Sequence, residues 1–179
     1  RTCLSVNKAL HSSSIDCFVS GTTCVASYIR DDTIYTANVG DSRAVVGRLE
    51  RGKIKAIELS SDHKPDRPDE QRRIEASGGE VFEDGVWRVY QAGMEIPGLA
   101  MARSFGDLCA ERVGVTAEPE ITTHKITPDD QFCIWASDGV WEFIESQQCC
   151  EIVWEMMQKD GAAQAGTYVV KLSVDKWHE

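Results

Sequence analysis

The fold is decided by residues 20–60, which read SGTTCVASYIRDDTIYTANVGDSRAVVGRLERGKIKAIELS. In this stretch β-branched and aromatic residues alternate with polar ones, and a period of two is typical of half-buried strands. Asp31-Asp32 and Arg51-Gly52 interrupt the alternation as short turn signals. The stretch therefore predicts an antiparallel meander.

The next segments contain one helix, one hairpin and one long loop. Pro and acidic residues at the start and Gly78-Gly79 at the end predict a helix over residues 68–77. The strands GEVFE and VWRVY are predicted to pair around Asp84-Gly85. Residues 91–118 are rich in glycine and lack a clean period, which is typical of a long functional loop.

The remaining third of the chain predicts two more strands and two helices. EITTHKIT and QFCIWAS read as strands around the turn at Pro128. The tail, from residue 146 to a last helix that ends at Glu179, has apolar residues at helical spacing, and these stripes are expected to pack in the core. The stripe residues are Ile152, Val153, Met156, Met157, Tyr168, Val169, Leu172 and Trp177.

Composition limits the class of protein. The 179 residues predict one packed domain, since 42% are hydrophobic and 27% are charged. A net charge of -10 argues against nucleic acid as a partner, because a phosphate backbone requires a dense basic face. No apolar run is long enough for a membrane span.

Cysteine usage indicates a reducing compartment. The seven cysteines are an odd number without a C-x-x-C pair, which fits neither a disulfide framework nor a zinc site. Several lie inside apolar runs, where a free thiol behaves as a small hydrophobic group. We expect a cytosolic or nuclear protein.

Acidic residues follow two buried strands. Asp41 comes after TIYTANVG and Asp138 after QFCIWAS, while Glu142 lies four residues beyond Asp138. Each aspartate alone could simply accept backbone N–H bonds in its own turn. Taken together, the three carboxylates favour binding of Mg²⁺ or Mn²⁺, which prefer hard oxygen ligands.

Six ordered motifs give the chain a family resemblance. They are SGTTC, TANVGDSRAVV, LSSDHKPDRPDEQRRIEASGGEV, GLAMARSFGD, AEPEI and IWASDGVWEF. In order and wording they resemble the metal-dependent Ser/Thr protein phosphatases, the protein phosphatase 2C-like family, over about residues 20–177. The resemblance implies an α+β fold, a four-layer αββα sandwich of two antiparallel sheets.

The resemblance also implies roles for particular residues. Asp138 would bind a catalytic Mn²⁺ or Mg²⁺, Asp41 would help to hold an additional ion, and Glu142 stands where the family usually has Asp. In the family, two metals share a water that attacks the phosphorus of phosphoserine or phosphothreonine in protein substrates. The irregular loop at about 85–98 matches the family's flap, with Met94, Glu95 and Ile96 at its tip.

Two family signatures do not occur in these residues. There is no D-G-H run, whose Asp and Gly carbonyl bind metals in the family, and VDKWHE precedes no closing Asp pair. We therefore expect residues 1–179 to be one partial catalytic domain, incomplete at both ends and inactive by itself. No catalytic residue other than the metal ligands is assigned.

Alternative interpretations remain. The C-x₅-R spacing from Cys24 to Arg30 would suit a cysteine phosphatase, but these residues read as strand, which would separate the ends by ~20 Å. A catalytically inactive relative that acts as a protein-binding or regulatory module is the main alternative. His63 is expected to cap or pack a helix rather than transfer protons, and we expect Arg43 and Arg103 to form internal ion pairs.

Overall fold

The computed structural model describes residues 1–178, which form two compact units. The first unit comprises Arg1–Cys24, Ala37–Asp41 and Asp62–Glu120. The second comprises Val25–Thr36, Ser42–Ser61 and the residues from Ile121 onward. Glu179, the predicted end of the last helix, lies outside the described residues.

The helices and strands alternate irregularly along the chain, as expected for an α+β fold. In chain order they are α1 (Thr2–His11), β1 (Gly21–Thr22), β2 (Cys24–Arg30), β3 (Thr33–Val39), β4 (Arg43–Glu50), β5 (Lys53–Glu58), α2 (Pro68–Ala76), β6 (Gly79–Asp84), β7 (Val86–Gln91), β8 (Pro97–Leu99), β9 (Phe105–Gly106), α3 (Leu108–Glu111), β10 (Glu120–Lys125), β11 (Asp130–Ala136), α4 (Asp138–Trp141), α5 (Ser146–Asp160) and α6 (Ala162–Trp177).

Within the second unit, strand β4 separates two hydrophobic clusters. Its sheet has the strand order β11-β4-β5, with both pairings antiparallel. Val45 packs with residues of α4, α5 and α6, whereas Ala44 and Val46 belong to a cluster that also contains Ile34 of β3. Because side chains alternate along a strand, β4 buries both of its faces. The predicted mixture of helices and antiparallel sheets is confirmed.

The predicted meander is wrong in one respect. Residues 24–58 do form four strands, but β2 and β3 belong to the sheet β10-β3-β2, whereas β4 and β5 belong to β11-β4-β5. The chain changes sheets between Val39 and Arg43, at the segment that contains Asp41. Period-two alternation shows that strands exist but not which strands pair, so the sequence could not show this crossing.

In the first unit, helix α2 packs on the sheet β6-β7-β8. Its Ile74 shares a buried cluster with Val89 of β7. The predicted helix at 68–77 is confirmed with Ser77 as its C-cap, and the predicted hairpin around Asp84-Gly85 is confirmed by antiparallel pairing of β6 with β7.

The predictions of long irregular loops are partly wrong. Residues 91–118 contain β8, β9 and α3, and the predicted flap at 85–98 contains strand β7 and the start of β8. Only residues 92–96 connect β7 to β8, which pairs with it through Val89 opposite Leu99. Four glycines in this segment have positive φ, namely Gly93, Gly98, Gly106 and Gly114. They interrupt the alternation of apolar and polar residues by which strands are recognised in a sequence.

The two C-terminal helices pack largely as the apolar stripes predict. Val153 and Val169 are buried, and Ile152, Met156, Met157 and Leu172 pack against the same cluster. Tyr168 and Trp177 were expected in the core but are 44% and 66% exposed, while Ala165 and Ser173 are buried instead. The buried residues of α6 recur every four positions, at Ala165, Val169 and Ser173, so Tyr168 lies beside this stripe. Trp177 is the last residue of the helix, where its ring contacts Phe143. None of the helices in residues 1–178 has the length and apolar content that a membrane crossing requires.

One carboxylate, that of Asp130, joins β11 to β4 in the second unit. Arg48 donates from Nε to Oδ1 at 2.7 Å and from Nη2 to Oδ2 at 3.3 Å, and the Thr127 N–H donates to Oδ2 at 2.9 Å. Nε2 of His124 lies 3.0 Å from Oδ2. Burial disfavours the charged form of Asp130, but these hydrogen bonds outweigh it and lower the pKa of Asp130 to about 2.

The Asp130→Asn substitution is expected to lower the free energy of unfolding at pH 7 by about 2 kcal/mol. A folded-state pKa below the unfolded value means that the stabilisation is present above about pH 4. It is lost as the pH falls towards 2, so the variant should have a flatter acid limb. Urea unfolding across this pH range measures the difference, with Asp129→Asn, an exposed neighbour, as the control. Identical acid limbs for Asp130→Asn and the parent chain would contradict this assignment.

Candidate functional site

Asp138 is the first residue of helix α4, directly after the end of β11. Ser137 is the N-cap residue, and Nε1 of Trp141 donates a hydrogen bond to the Ala136 carbonyl oxygen at 2.8 Å. Val140 and Trp141 are buried in the helix-facing core of the second unit. Because the residues on both sides are anchored, the exposed Asp138 side chain projects from a fixed backbone.

Glu142 lies one helical turn beyond Asp138. The Glu142 N–H donates to the Asp138 carbonyl oxygen at 2.8 Å, and both side chains are exposed. In residues 1–178, no hydrogen bond or ion pair engages either carboxylate. The turn in which Asp138 would accept backbone N–H bonds is therefore not formed, and two hard oxygen donors stand at a spacing that brings Cβ atoms within ~6 Å.

A cleft of about 310 Å³ opens beside this turn in the second unit. It is lined by Gly139, Ser173, Val174, Trp177 and His178. Trp177 contributes an exposed ring, held edge-on against Phe143 with the ring centroids 5.3 Å apart. The residue that follows Asp138 therefore faces a concave, mainly apolar surface.

Asp41 belongs to the first unit and has a different environment. Its side chain is buried, and Nζ of Lys64 donates to Oδ2 at 2.7 Å. A side-chain ammonium therefore already balances the charge of this carboxylate. The contact between Lys64 and Asp41 was not predicted, because nothing in the sequence distinguishes Lys64 from a surface lysine.

Gly40 fixes the turn that leads into Asp41. Its φ is +103°, and a Cβ atom there would stand 2.4 Å from Cγ2 of Thr23. Gly40→Ala should therefore lower the free energy of unfolding by about 3 kcal/mol, from backbone strain and overpacking together. Gly52→Ala is the control, since Gly52 also has positive φ but no atom within 4 Å of its Cβ position, and should cost only about 1 kcal/mol. Equal losses in chemical denaturation would contradict the close approach of Thr23.

A buried ion cluster lies in the same unit. Glu70 is fully buried and accepts hydrogen bonds from Nη2 of Arg103 at 2.6 Å and from Nη2 of Arg73 at 2.8 Å. Burial disfavours its charged form, but these bonds outweigh it and lower the pKa of Glu70 to about 2. The structure thus confirms the predicted internal ion pair for Arg103. In the second unit, Arg43 also forms an ion pair, with Nη1 3.8 Å from Oε1 of Glu58, and donates to the Ser146 hydroxyl at 2.8 Å. The burial of Glu70 was not predicted, because its position in an acidic first turn reads as solvent-facing.

His63 is also fully buried, beside this cluster. It does not cap α2, whose N-cap residue is Arg67. It packs instead against Gly40, with its backbone N–H donating to the Gly40 carbonyl oxygen at 3.1 Å.

The predicted flap residues lie in the short connection between β7 and β8. Met94 and Ile96 are 51% and 55% exposed, and Glu95 is exposed as well. The Met94 N–H donates to the Gln91 carbonyl oxygen at 2.9 Å, which closes a turn at the tip. Two apolar side chains are thereby presented to solvent on a hairpin.

The part of the chain that the structure describes contains no ready-made cluster of three or more His, Cys, Asp or Glu side chains suited to a metal ion. The C-x₅-R reading is excluded on geometry, since Cys24 and Arg30 are the two ends of strand β2. What remains is the exposed pair Asp138 and Glu142 in the second unit and the buried Asp41 with its lysine in the first.

The order of the strands and helices, with Asp41 after β3 and Asp138 after β11, is the one expected for the protein phosphatase 2C-like family. The sequence profile of protein phosphatase 2C matches residues 3–173, and the chain belongs to this family.

Particular relatives agree with the profile. The chain is 41% identical over 183 residues to "Probable protein phosphatase 2C 73" of Arabidopsis thaliana, covering 99% of this chain and 48% of that protein. It is 42% identical over 184 residues to "Probable protein phosphatase 2C 34" of the same plant, covering 99% of this chain and 51% of that protein. The chain thus spans about half the length of these curated relatives.

A solved structure shares the fold. The serine-threonine phosphatase 2C from Toxoplasma gondii superposes with a TM-score of 0.80, covering 98% of this chain and 57% of that one. At 23% sequence identity this similarity supports the fold alone.

Proposed function

We propose that these residues belong to an enzyme that hydrolyses phosphoserine and phosphothreonine in proteins with the help of Mn²⁺ or Mg²⁺. Membership of the protein phosphatase 2C family supports the reaction class. The observation that carries the proposal is the exposed Asp138 carboxylate, anchored on both sides and without a partner in residues 1–178.

The residues present fit a hard divalent cation. Asp138 would hold a catalytic ion and Glu142, one turn away, could add a second oxygen; Asp41 would hold an accessory ion. Nζ of Lys64 lies 2.7 Å from Oδ2 of Asp41, so an ion at Asp41 would have to displace this ammonium group or share the carboxylate with it. When bound, such ions supply water with a lowered pKa and screen the phosphate charge.

The residues of this chain would position the cation and the substrate and would not themselves react with the phosphate group. The Trp141 hydrogen bond and the burial of Val140 hold the turn on which Asp138 stands, so little reorganisation is needed when a cation binds. The exposed Met94, Glu95 and Ile96 would contact residues of the phosphoprotein that flank the phosphorylated side chain. This contact would govern the choice of substrate, since exposed apolar side chains on a hairpin tip suit peptide binding.

The proposal is tested by measuring phosphate release from a phosphothreonine peptide. The assay uses the longest natural chain that contains this sequence, and the 179-residue chain is assayed in parallel. We expect phosphate release with added MnCl₂ and none with excess chelator. Undiminished release in excess chelator would contradict the metal-dependent mechanism. Absence of release, with a protein partner still bound, would favour the inactive binding module.

A further inference from the structure

The Gly40 peptide group, next to Asp41, is held by a single buried histidine. The Gly40 N–H points at Nδ1 of His63 at 3.1 Å, and the Gly40 carbonyl oxygen lies 3.1 Å from the His63 N–H. Two links between the same pair of residues fix both sides of the glycine. A displacement of His63 would therefore move the backbone from which the Asp41 side chain starts.

The hydrogen bonds of the Gly40 peptide group indicate which nitrogen of the His63 ring carries the proton. Nδ1 of His63 also lies 3.0 Å from the Gly40 carbonyl oxygen, so it could in principle donate there. That oxygen already accepts from the His63 N–H and from Nδ2 of Asn38 at 3.0 Å, which uses both of its lone pairs. In residues 1–178 the Gly40 N–H has no other acceptor, and a buried unpaired N–H costs about 1–3 kcal/mol. Nδ1 is therefore the acceptor and Nε2 carries the proton.

The opposite edge of the ring faces charged groups. Nε2 lies 3.5 Å from Oε2 of Glu120, which also accepts from Nη2 of Arg67 at 2.6 Å. Burial, and then the positive charge of Arg103, lower the pKa of His63, which keeps the ring neutral near pH 7. At this distance Nε2 has no hydrogen-bond partner in residues 1–178, but a proton on Nε2 is still attracted by the negative charge of Glu120. The other tautomer would leave both Nε2 and the Gly40 N–H without a partner, so the contacts at Nδ1 decide between the two.

The ion cluster fixes the backbone of His63 in turn. The His63 carbonyl oxygen accepts from the Ala102 N–H at 2.7 Å, and the Ala102 carbonyl oxygen accepts from Nη2 of Arg73 at 2.8 Å. Arg73 is itself paired with Glu70. A continuous series of contacts thus runs from the buried carboxylate of Glu70 to Gly40.

We propose that His63 is a positioning residue, whose neutral imidazole accepts the Gly40 N–H and so sets the position of the Asp41 carboxylate. The inference rests on the proposed function in that Asp41 is taken as a cation ligand. Groups that orient a metal ligand typically alter metal affinity by 10–100-fold when they are replaced.

The first test uses the unmodified 179-residue chain. Nitrogen-15 NMR of its histidine rings is expected to show His63 as the neutral tautomer with the proton on Nε2 and none on Nδ1. A proton on Nδ1 would overturn the proposal whatever the variants do, because the Gly40 N–H would then have no acceptor on the ring.

The second test compares two substitutions that differ in where they place an oxygen. His63→Asn puts an amide oxygen on the atom bonded to Cγ, as Nδ1 is, whereas His63→Gln puts it one bond further out. Hydrogen exchange at the Gly40 amide should stay within about threefold of the parent in His63→Asn and rise about tenfold in His63→Gln. Global stability of both variants is measured by urea unfolding, so that a local difference can be separated from general loosening.

Binding of MnCl₂ to the same proteins completes the test, read from broadening of the Asp41 amide signal. The Mn²⁺ affinity should fall at least tenfold in His63→Gln and recover in His63→Asn. Loss of the Gly40 protection without any change in Mn²⁺ affinity would overturn the positioning role. If Mn²⁺ leaves the Asp41 signal of the parent chain unchanged, it is the assignment of Asp41 as a ligand that fails, and the tautomer and Gly40 exchange then decide the role of His63.

Discussion

The Asp138→Asn substitution is expected to reduce Mn²⁺-dependent hydrolysis of a phosphothreonine peptide at least about 100-fold. Asparagine keeps the size of the side chain but removes the negative charge that would hold the cation. A loss of about 3 kcal/mol in transition-state stabilisation corresponds to this factor. The measurement is the rate of phosphate release at saturating MnCl₂, on the longest natural chain that contains this sequence.

The stability of Asp138→Asn should remain near that of the parent, because the Asp138 side chain is exposed and has no partner in the described part of the chain. Asp160→Asn, which makes the same change at an exposed residue at the end of α5, is the control and should retain full activity. Equal rates for Asp138→Asn and Asp160→Asn would remove Asp138 from the site.

The Glu70→Gln substitution is expected to lower the free energy of unfolding by about 3–5 kcal/mol. Glu70 is fully buried, and its carboxylate is the counter-charge for the guanidinium groups of Arg73 and Arg103. Glutamine has the same shape but leaves two largely buried cations without a negative partner. The desolvation cost of the arginines is then no longer offset, and this cost dominates the expected loss.

Urea unfolding at pH 7 measures the loss, with Glu75→Gln as the control on the same helix. Glu75 is exposed and accepts one hydrogen bond from Gln71 at 2.7 Å, so its replacement should cost less than about 0.5 kcal/mol. The parent should also lose the Glu70 contribution as the pH falls from about 4.5 towards 2, because the pKa of Glu70 is lowered to about 2. Similar stabilities for the two variants would contradict the buried cluster.

The sequence predicts the elements of this fold better than their arrangement. Alternation identified the strands from Cys24 to Glu58, and Pro68 with its acidic neighbours marked the start of α2. The change of sheet at Gly40 depends on packing of both faces of β4, which no local period encodes. Short elements such as β8 and α3 are fixed by pairing and by positive-φ glycines, so they read as loop.

In the candidate site, likewise, the sequence predicts the acidic residues but not the side chains that contact them. Asp138 could be recognised because a carboxylate at the end of an apolar strand is unusual. Asp41 could be recognised for the same reason, since it follows the strand that ends at Val39 and Gly40. The contacts of Gly40 and Asp41 were not predictable, since His63 and Lys64 come from a segment more than 20 residues away along the chain. The burial of Glu70 is a tertiary effect as well, because its partner Arg103 comes from a distant part of the chain.

Site-resolved binding of Mn²⁺ tests the central claim most directly. In the amide spectrum of the 179-residue chain, low concentrations of MnCl₂ should broaden the signals of Asp138, Gly139 and Asp41 first. The signal of the exposed Asp160 should persist, and Asp138→Asn should abolish the broadening around position 138. Broadening that is spread evenly over the exposed acidic residues, or no effect at Asp138, would contradict a cation site at this turn.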